Sequence, residues 1–213
     1  MFKFGIIDKF KNLILPTSGP IHLSHLKYIK WSFLSNILVS TETALGSDNM
    51  LHAINYDSEN VRTLNYIGKD IIGQIGGLTY ISWGSQKIDK KPKNFLAISH
   101  GVQQLGLTGI SITPLTPTYF LPIAGLSNIF SNLSWTGFGA INAKCINKLA
   151  LQNNLGEIYT KISIVNMMGS SIGLLIGLGI NIYFPVITER IILIPILGLL
   201  RIYTFNKAIE DLL

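Results

Sequence analysis

Two pairs of polar side chains interrupt the longest uncharged stretch of this sequence, residues 94–143, which contains no Asp, Glu, Lys or Arg. His100 and Gln104 are four residues apart, as are Asn128 and Asn132, so each pair shares one face if the stretch is helical. An ionisable group in apolar surroundings is a functional candidate, because leaving it without a partner is costly. Amides in such surroundings more often join helices by hydrogen bonds. His100 is therefore a candidate functional residue, with a purely structural role as the alternative.

Asp70 is a second candidate, because it follows Lys69 and enters an apolar segment. The alternative is an ordinary helix N-terminus, where the helix dipole favours an acidic side chain. The sequence contains no nucleophile elbow, HExxH motif or phosphate-binding loop. Its single cysteine, Cys145, excludes an internal disulfide and a cysteine-based zinc site. We therefore predict a protein that is not an enzyme and that has neither a metal nor another cofactor.

Glycines recur at intervals of four residues in the apolar run of residues 167–184, at Gly169, Gly173 and Gly177. A helix with this spacing has one face almost without side chains, which allows a second helix to approach closely in a bilayer. Gly73 and Gly76 are predicted to serve helix packing in the same way. The alternative is that glycine is simply frequent in membrane helices.

The composition of the chain is that of a membrane protein. Hydrophobic residues make up 48% and charged residues 13%, whereas about a quarter of the residues in soluble domains are charged. Residues 94–143, 162–188 and 71–86 contain no charged residue. A bilayer core of about 30 Å needs roughly 20 helical residues, so these stretches hold two spans, one span and a marginal span. We predict an all-α, polytopic helical membrane protein with about four to six membrane helices.

The formal net charge of +6 does not indicate nucleic-acid binding, because the basic residues are scattered and form no cluster with interleaved aromatic residues. The predicted partners are instead membrane lipids and other membrane-protein subunits. Lysines in the loop of residues 87–93 and in the segment 144–161 flank two predicted spans. By the positive-inside rule, both basic segments lie on the cytoplasmic or matrix-like side.

Residues 1–213 are interpreted as one helical membrane domain with three parts. Residues 1–20 are predicted to form an N-terminal interfacial amphipathic segment, since apolar residues recur there near helical spacing. Residues 46–69 contain most of the early acidic residues and are predicted to be a polar connection with a short helix. Residues 70–206 form the main membrane region.

Four further expectations concern the helices themselves. A helix is predicted from His22 to about Leu45, and the prolines between residues 114 and 117 predict a turn. The last apolar segment is predicted to break at Pro195. If that segment spans the membrane, Arg201 must extend to the interface.

Three stretches, in order over about residues 13–180, resemble the root UVB-sensitive family, also known as domain of unknown function 647. The first, ILPTSGPIHLSHLKYIKWSFLSNILVSTETAL, is similar to the family's Leu-Pro, Pro, Tyr, Trp and Ser-Thr-Gln-Ala-Leu-like elements, with Glu42 at the usual glutamine. The second, KDIIGQIGGLTYISWGSQKIDKKPKNF, resembles a Lys-Asp-Gly-x-Gly-x-x-Gly helix and a following Asp and Lys, with Ile71 at the first glycine. The third, NNLGEIYTKISIVNMMGSSIGLLIG, resembles an Asn-Leu-x-Asp/Glu segment and a glycine-rich membrane helix, with Ile164 at a common glutamine. The matching residues are Leu15, Pro16, Pro20, Tyr28, Trp31, Ser40, Thr41, Ala44, Leu45, Lys69, Asp70, Gly73, Gly76, Gly84, Asp89, Lys93, Asn154, Leu155, Gly156, Glu157, Lys161, Ser163, Gly169 and Gly173.

The resemblance implies a membrane-associated protein of plastids, mitochondria or other endomembranes, in a family linked in plants to seedling development and vitamin B6-related homeostasis. No catalytic activity is established for the family. On this resemblance Lys93 and Lys161 join Lys69, Asp70 and His100 as candidate functional residues. The chain also lacks the longer C-terminal part that family members usually carry, so it is expected to be a core-only relative.

Two functions follow as hypotheses. The first is a non-enzymatic structural or accessory subunit of an organellar membrane complex, most simply in the mitochondrial inner membrane. The second is a small-molecule transporter or carrier in which Asp70, His100 and glycine-broken helices line a path. A membrane enzyme is the weakest alternative, because the polar residues do not combine into an acid, a base and a nucleophile.

Overall fold

The computed structural model describes residues 14–17, 19–55, 58–88, 90–151 and 153–213, without the side chains of residues 79–88. These residues form six α-helices and no β-strand, which confirms the predicted all-α class. The predicted interfacial segment lies largely outside the described residues. The helices are α1 (His25–Ile54), α2 (Glu59–Ile88), α3 (Pro92–Ser111), α4 (Phe120–Leu149), α5 (Leu155–Tyr183) and α6 (Ile187–Ile209).

The first two helices are longer than the sequence suggested. Helix α1 continues to Ile54 and α2 begins at Glu59, so the predicted polar connection of residues 46–69 is mostly helical. Tertiary contacts explain the difference, because the Asn49 amide donates to the carbonyl of Ser111 at 3.2 Å and is buried. Polar side chains with such partners continue a helix instead of ending it.

Prolines have opposite effects at two places in the chain. Two short 3₁₀ turns, Thr113–Leu115 and Pro117–Tyr119, connect α3 with α4 where the prolines predicted a turn. Helix α6 instead continues through Pro195, where a break was predicted. The preceding residue, Ile194, is fully buried in a cluster with Leu45 and Leu107. We attribute the continuity of α6 to this packing, which offsets the loss of one backbone hydrogen bond.

Helix α1 is the centre of the fold, with α5 and α6 packed on it and α3 beside it. Helix α4 packs on both α2 and α3, so α3 joins the α1, α5 and α6 group to the α2 and α4 pair. The largest apolar cluster contains buried residues of α1, α3, α4, α5 and α6, together with Leu212 after the end of α6. This arrangement brings side chains that are far apart in the sequence into one interior.

In the described part of the chain, α5 and α6 are the helices that are long and apolar enough to cross a membrane. The prediction of four to six membrane helices is therefore not confirmed. Large apolar side chains of both helices point outward, among them Leu175 and Leu199. Helices α1 to α4 contain more polar residues, which explains why fewer helices than expected have the composition of a span.

Candidate functional site

The central polar feature of the interior is an ion pair between the first and last helices. Arg201 of α6 and Glu42 of α1 are 2% and 0% exposed, and Arg201 Nε donates to Glu42 Oε2 at 2.8 Å. The expectation that Arg201 extends to an interface is wrong, because the structure places its side chain inside the helix bundle. A guanidinium has five donors, so burial requires several acceptors.

Helix α3 supplies most of these acceptors from residues 100, 103 and 104, which share one face. Gln103 Oε1 accepts from Arg201 Nη1, and Gln104 Oε1 accepts from Nη2 at 3.3 Å. His100 Nδ1 lies 3.5 Å from Nη1. Close approach of α6 to α3 depends on Gly198, where any side chain would overlap the Gln104 amide. Spacings of three and four residues on α3 therefore direct three side chains to one cation.

His100 also lies between two aromatic rings, with centroid distances of 4.8 Å to Phe138 and 5.4 Å to Phe205. Because Nδ1 faces a guanidinium donor, it acts as the acceptor and the proton is assigned to Nε2. Within the described residues Nε2 has no hydrogen-bond partner. The structure thus places the predicted candidate His100 in the Arg201 cluster.

Two further polar contacts join α1 to α6 on either side of this pair. Arg190 at the start of α6 donates to Asp48 of α1, and Lys27 near the start of α1 contacts Glu210 and Asp211 at 3.0 and 2.9 Å. The contacts of Lys27 with Glu210 and Asp211 lie at the surface of the protein. Hydrogen bonds to Asp211 and Glu210 raise the pKa of Lys27, and hydrogen bonds from Lys27 and Lys207 lower the pKa of Glu210.

A polar cavity of about 200 Å³ lies beside the Arg201 cluster, between α1, α4 and α5. Asn166 Oδ1 accepts from Ser32 Oγ at 2.8 Å and from Asn36 Nδ2 at 3.0 Å, while Asn142 accepts from Tyr28. The cavity shares Gln103 and Phe138 with the environment of Arg201. It is lined by Ser32, Ser35, Asn36, Val39, Gln103, Trp135, Phe138, Gly139, Asn142, Asn166 and Phe205.

The predicted candidates Lys69 and Asp70 form a separate polar group between α2 and α4. Lys69 is buried, its Nζ lies 2.6 Å from Asp70 Oδ1, and it also lies 4.4 Å from the centroid of the Tyr66 ring. Asn128 donates to Asp70 Oδ1 at 2.9 Å and to the carbonyl of Lys69 at 3.1 Å. These contacts join two helices, as expected for amides in apolar surroundings.

The predicted packing glycines all lie at contacts between helices of this chain. A Cβ at Gly169 would lie 2.9 Å from the carbonyl oxygen of Phe33, and at Gly177 it would lie 2.5 Å from Ala44 Cβ. At Gly173 it would overlap the carbonyl of Ile37, and Thr41 Oγ1 donates to the Gly173 carbonyl at 3.0 Å. These glycines thus face α1. Gly73 and Gly76 face α4, where a Cβ would lie 2.6 Å from Asn128 Nδ2 and from Ile129 Cγ1.

The last two candidates lie near the ends of helices. Lys93 is exposed in the first turn of α3, close to Tyr203 and Glu210, with which it lines a shallow surface depression. Lys161 is partly buried in α5. The predicted residues are therefore divided among several places in the fold.

Sequence reasoning missed Glu42 and Arg201 as partners, although a signal was present. Glu42 is the only charged residue in the range 31–47, and Arg201 is the only one in the range 191–206. Two isolated charges of opposite sign in apolar stretches indicate a buried pair, since an unpaired charge there is costly.

Comparisons with known proteins agree with the resemblance seen in the sequence. A family model described as a vitamin B6 photo-protection and homoeostasis domain matches residues 3–212. The chain is 26% identical to protein root UVB sensitive 4 of Arabidopsis thaliana over 196 residues, covering 86% of this chain and 38% of that relative. It is 22% identical to protein root UVB sensitive 2, chloroplastic, of the same plant over 207 residues, covering 93% and 47%.

The chain spans less than half the length of these curated relatives. No solved structure gives a significant match. The family model covers nearly the whole chain, and the residues that it matches include the Glu42 and Arg201 pair and all the candidate residues described above. The chain therefore belongs to the root UVB-sensitive family, whose defining domain is the vitamin B6 photo-protection and homoeostasis domain.

Proposed function

We propose that this chain is a non-enzymatic integral membrane protein that serves as an accessory subunit of an organellar membrane complex. Its partners are membrane lipids and other membrane-protein subunits, and nucleic acid is not among them. Helices α5 and α6 anchor the chain, because their length and composition suit a bilayer and their outward side chains are apolar.

The observation that carries the proposal is an exposed apolar stripe on α2. Its side chains recur at spacings of three and four residues and are 52 to 69% exposed. Helix α2 is not among the helices apolar enough to span a membrane, so lipid is a poor explanation for the stripe. A helix of a partner subunit would bury such a stripe. The stripe consists of Leu64, Ile67, Ile71, Ile75 and Leu78.

The glycine faces do not add to this argument, although the sequence suggested that they needed external partners. Gly169, Gly173 and Gly177 are covered by α1, and Gly73 and Gly76 face α4. A substitution at these glycines would therefore disturb the chain's own fold. Within the described part of the chain, the α2 stripe is a surface on which loss of a partner can be separated from loss of folding, because its side chains are exposed.

The proposed location is an organellar membrane, with the mitochondrial inner membrane as the first to be tested. A plastid membrane is the alternative, since one relative is named as chloroplastic. Fractionation of organelles, followed by carbonate extraction and detection of the chain, distinguishes the two locations and tests for integral insertion.

The subunit proposal is tested by mild solubilisation of the membranes, native electrophoresis and mass spectrometry of the species that migrate with the chain. We expect one large complex at fixed stoichiometry. The double variant Ile67→Ser and Ile71→Ser should no longer migrate with that complex, because the stripe then presents hydroxyl groups to the partner.

The matched control is Leu174→Ser and Leu178→Ser on α5, which has the same spacing and exposed side chains but faces the proposed lipid surface. This variant should remain in the complex. Migration of the unmodified chain alone, or as a small homo-oligomer, would contradict the subunit proposal.

A second candidate function is a carrier of small polar molecules. The observation that favours it is the polar cavity next to the buried Arg201 and Glu42, at a depth where polar groups are costly without a role. The description of the family model supports the uncharged forms of vitamin B6 as the first compounds to test. Uptake of labelled pyridoxine into proteoliposomes is the direct measurement.

A further inference from the structure

The polar cavity between α1, α4 and α5 has the features of a ligand site. We propose that it binds an uncharged, ring-shaped small molecule that carries several hydrogen-bond acceptors. The inference deepens the carrier candidate and rests on it for the choice of probe.

The first argument is the set of amide groups that face the cavity. Oxygen atoms of Gln103, Asn142 and Asn166 accept hydrogen bonds from Arg201, Tyr28 and Ser32 respectively, and each interaction fixes the orientation of an amide. Among the described residues, the nitrogen atoms of these amides have no hydrogen-bond partner.

Three oriented NH₂ groups on the wall of one cavity suit a ligand with oxygen or ring-nitrogen acceptors. Ser35 Oγ also has no hydrogen-bond partner in the described part of the chain. It adds one group that can donate or accept a hydrogen bond. A ligand that met these groups would replace hydrogen bonds that only water can supply otherwise.

The second argument is shape and charge. The cavity is smaller than the pockets of about 300–1,000 Å³ that hold drug-sized ligands, so it suits a single ring with short substituents. Rings of Trp135, Phe138 and Phe205 provide apolar walls for such a ring. None of the described residues that line the cavity has an ionised side chain, and the nearby Arg201 is already paired with Glu42. A charged ligand would lose its hydration without gaining a counter-ion.

Pyridoxine is the probe, because it is a pyridine ring with three hydroxyl groups that has no net charge near neutral pH and can adopt an uncharged form. 4-Pyridoxate is the control ligand, since a carboxylate replaces one of its hydroxymethyl groups on the same ring. Binding to the purified chain in detergent is measured by isothermal titration calorimetry and by the tryptophan fluorescence of the chain, to which Trp135 at the cavity wall contributes. We expect binding of pyridoxine and at least about tenfold weaker binding of the anion, from the lost solvation of one charge.

The site is assigned with a variant that fills the cavity. Gly139 lines it at an exposed position, and a Cβ there would meet nothing within 4 Å, so Gly139→Leu adds a bulky side chain at the rim whose first carbon has open space. Gly179→Leu is the matched control, because it too is a helical glycine with open space, outside the cavity lining. Gly139→Leu should weaken pyridoxine binding by about tenfold or more, the equivalent of one or two lost hydrogen bonds, and Gly179→Leu should not.

The site and the carrier function can fail separately. Absence of pyridoxine binding, equal binding of the anion, or unchanged binding in Gly139→Leu would overturn the site. Binding that Gly139→Leu abolishes, without uptake into proteoliposomes, would establish the site and reject the carrier. Uptake that is insensitive to Gly139→Leu would reject the site and keep the carrier.

Discussion

At the scale of single residues, the pair of Glu42 and Arg201 makes the sharpest energetic prediction. Arg201→Met removes one charge and leaves Glu42, which is fully buried, without its counter-ion. The expected loss is about 3–5 kcal/mol of unfolding free energy, because an uncompensated buried charge is strongly destabilising. Thermal or denaturant unfolding in detergent measures this loss.

A double-mutant cycle separates the pair from general packing. Glu42→Gln with Arg201→Met removes both charges, and it should be less destabilised than Arg201→Met alone. Additive effects of the two substitutions would show that the ion pair has no energetic coupling, contrary to the geometry of the cluster.

The surface contacts of Lys27 predict that the unfolding free energy of the chain changes with pH in the acid range. The pKa of Glu210 is lowered in the folded chain, so its contribution is present above the unfolded pKa and is lost as the pH falls through the folded pKa. The pKa of Lys27 is raised, so its contribution is lost only as the pH rises through that value in the alkaline range.

Lys27→Gln should therefore flatten the fall in the melting temperature between neutral pH and about pH 3, the acid side of the normal pKa of a glutamate. The same measurement on Lys148→Gln, another exposed lysine, serves as the control. An unchanged acid profile in Lys27→Gln would mean that the contact does not persist in solution, as is common for surface pairs.

At the scale of helices, the contact of α5 with α1 depends on residues without side chains. Leucine at Gly173 would overlap the carbonyl of Ile37, so α5 would have to move away from α1. Overpacking of a close helix contact costs about 1–3 kcal/mol or more. Gly173→Leu should lower the melting temperature in detergent and increase cleavage by trypsin.

Gly179→Leu is the appropriate comparison for this helix, since its Cβ meets nothing within 4 Å. That substitution should be tolerated, because leucine has a higher helix propensity than glycine. Equal melting temperatures of the Gly173 and Gly179 variants would contradict the close packing of α1 and α5.

The helices also show which features a sequence can predict. The glycine spacing of α5 gave a packing face, because a period of four is a local property of one helix. The length of α1 was underestimated, since the contact of Asn49 with Ser111, a residue distant in the chain, is not visible in the local sequence. The break predicted at Pro195 was wrong for the same reason, because the packing of Ile194 cannot be seen in the local sequence.

At the scale of the whole molecule, topology decides which candidates meet. His100, Glu42 and Arg201 come from the third, first and last helices of the described chain, and no spacing in the sequence relates them. The sequence identified His100 from its apolar surroundings but provided no partner for it. The isolated charges at Glu42 and Arg201 were the available signal, and using it requires two distant segments to be considered together.

The exposure of apolar side chains is likewise a property of the assembled bundle. From the sequence, all long uncharged stretches were interpreted as candidate spans. In the structure, α5 and α6 have the composition of spans, whereas α4 is largely enclosed between α2 and α3. Long uncharged stretches therefore occur both in a helix with the composition of a span and in a helix that packs between two others.

The pairing of Glu42 with Arg201 has a consequence for biogenesis. Glu42 belongs to the first described helix and Arg201 to the last, so a ribosome completes the acidic helix well before its counter-ion exists. Until α6 is synthesised, the Glu42 carboxyl has no Arg201 to pair with, so it stays in contact with water or takes up a proton. Burial of Glu42 as a paired ion is thus a late step, which can follow only after α6 has been synthesised.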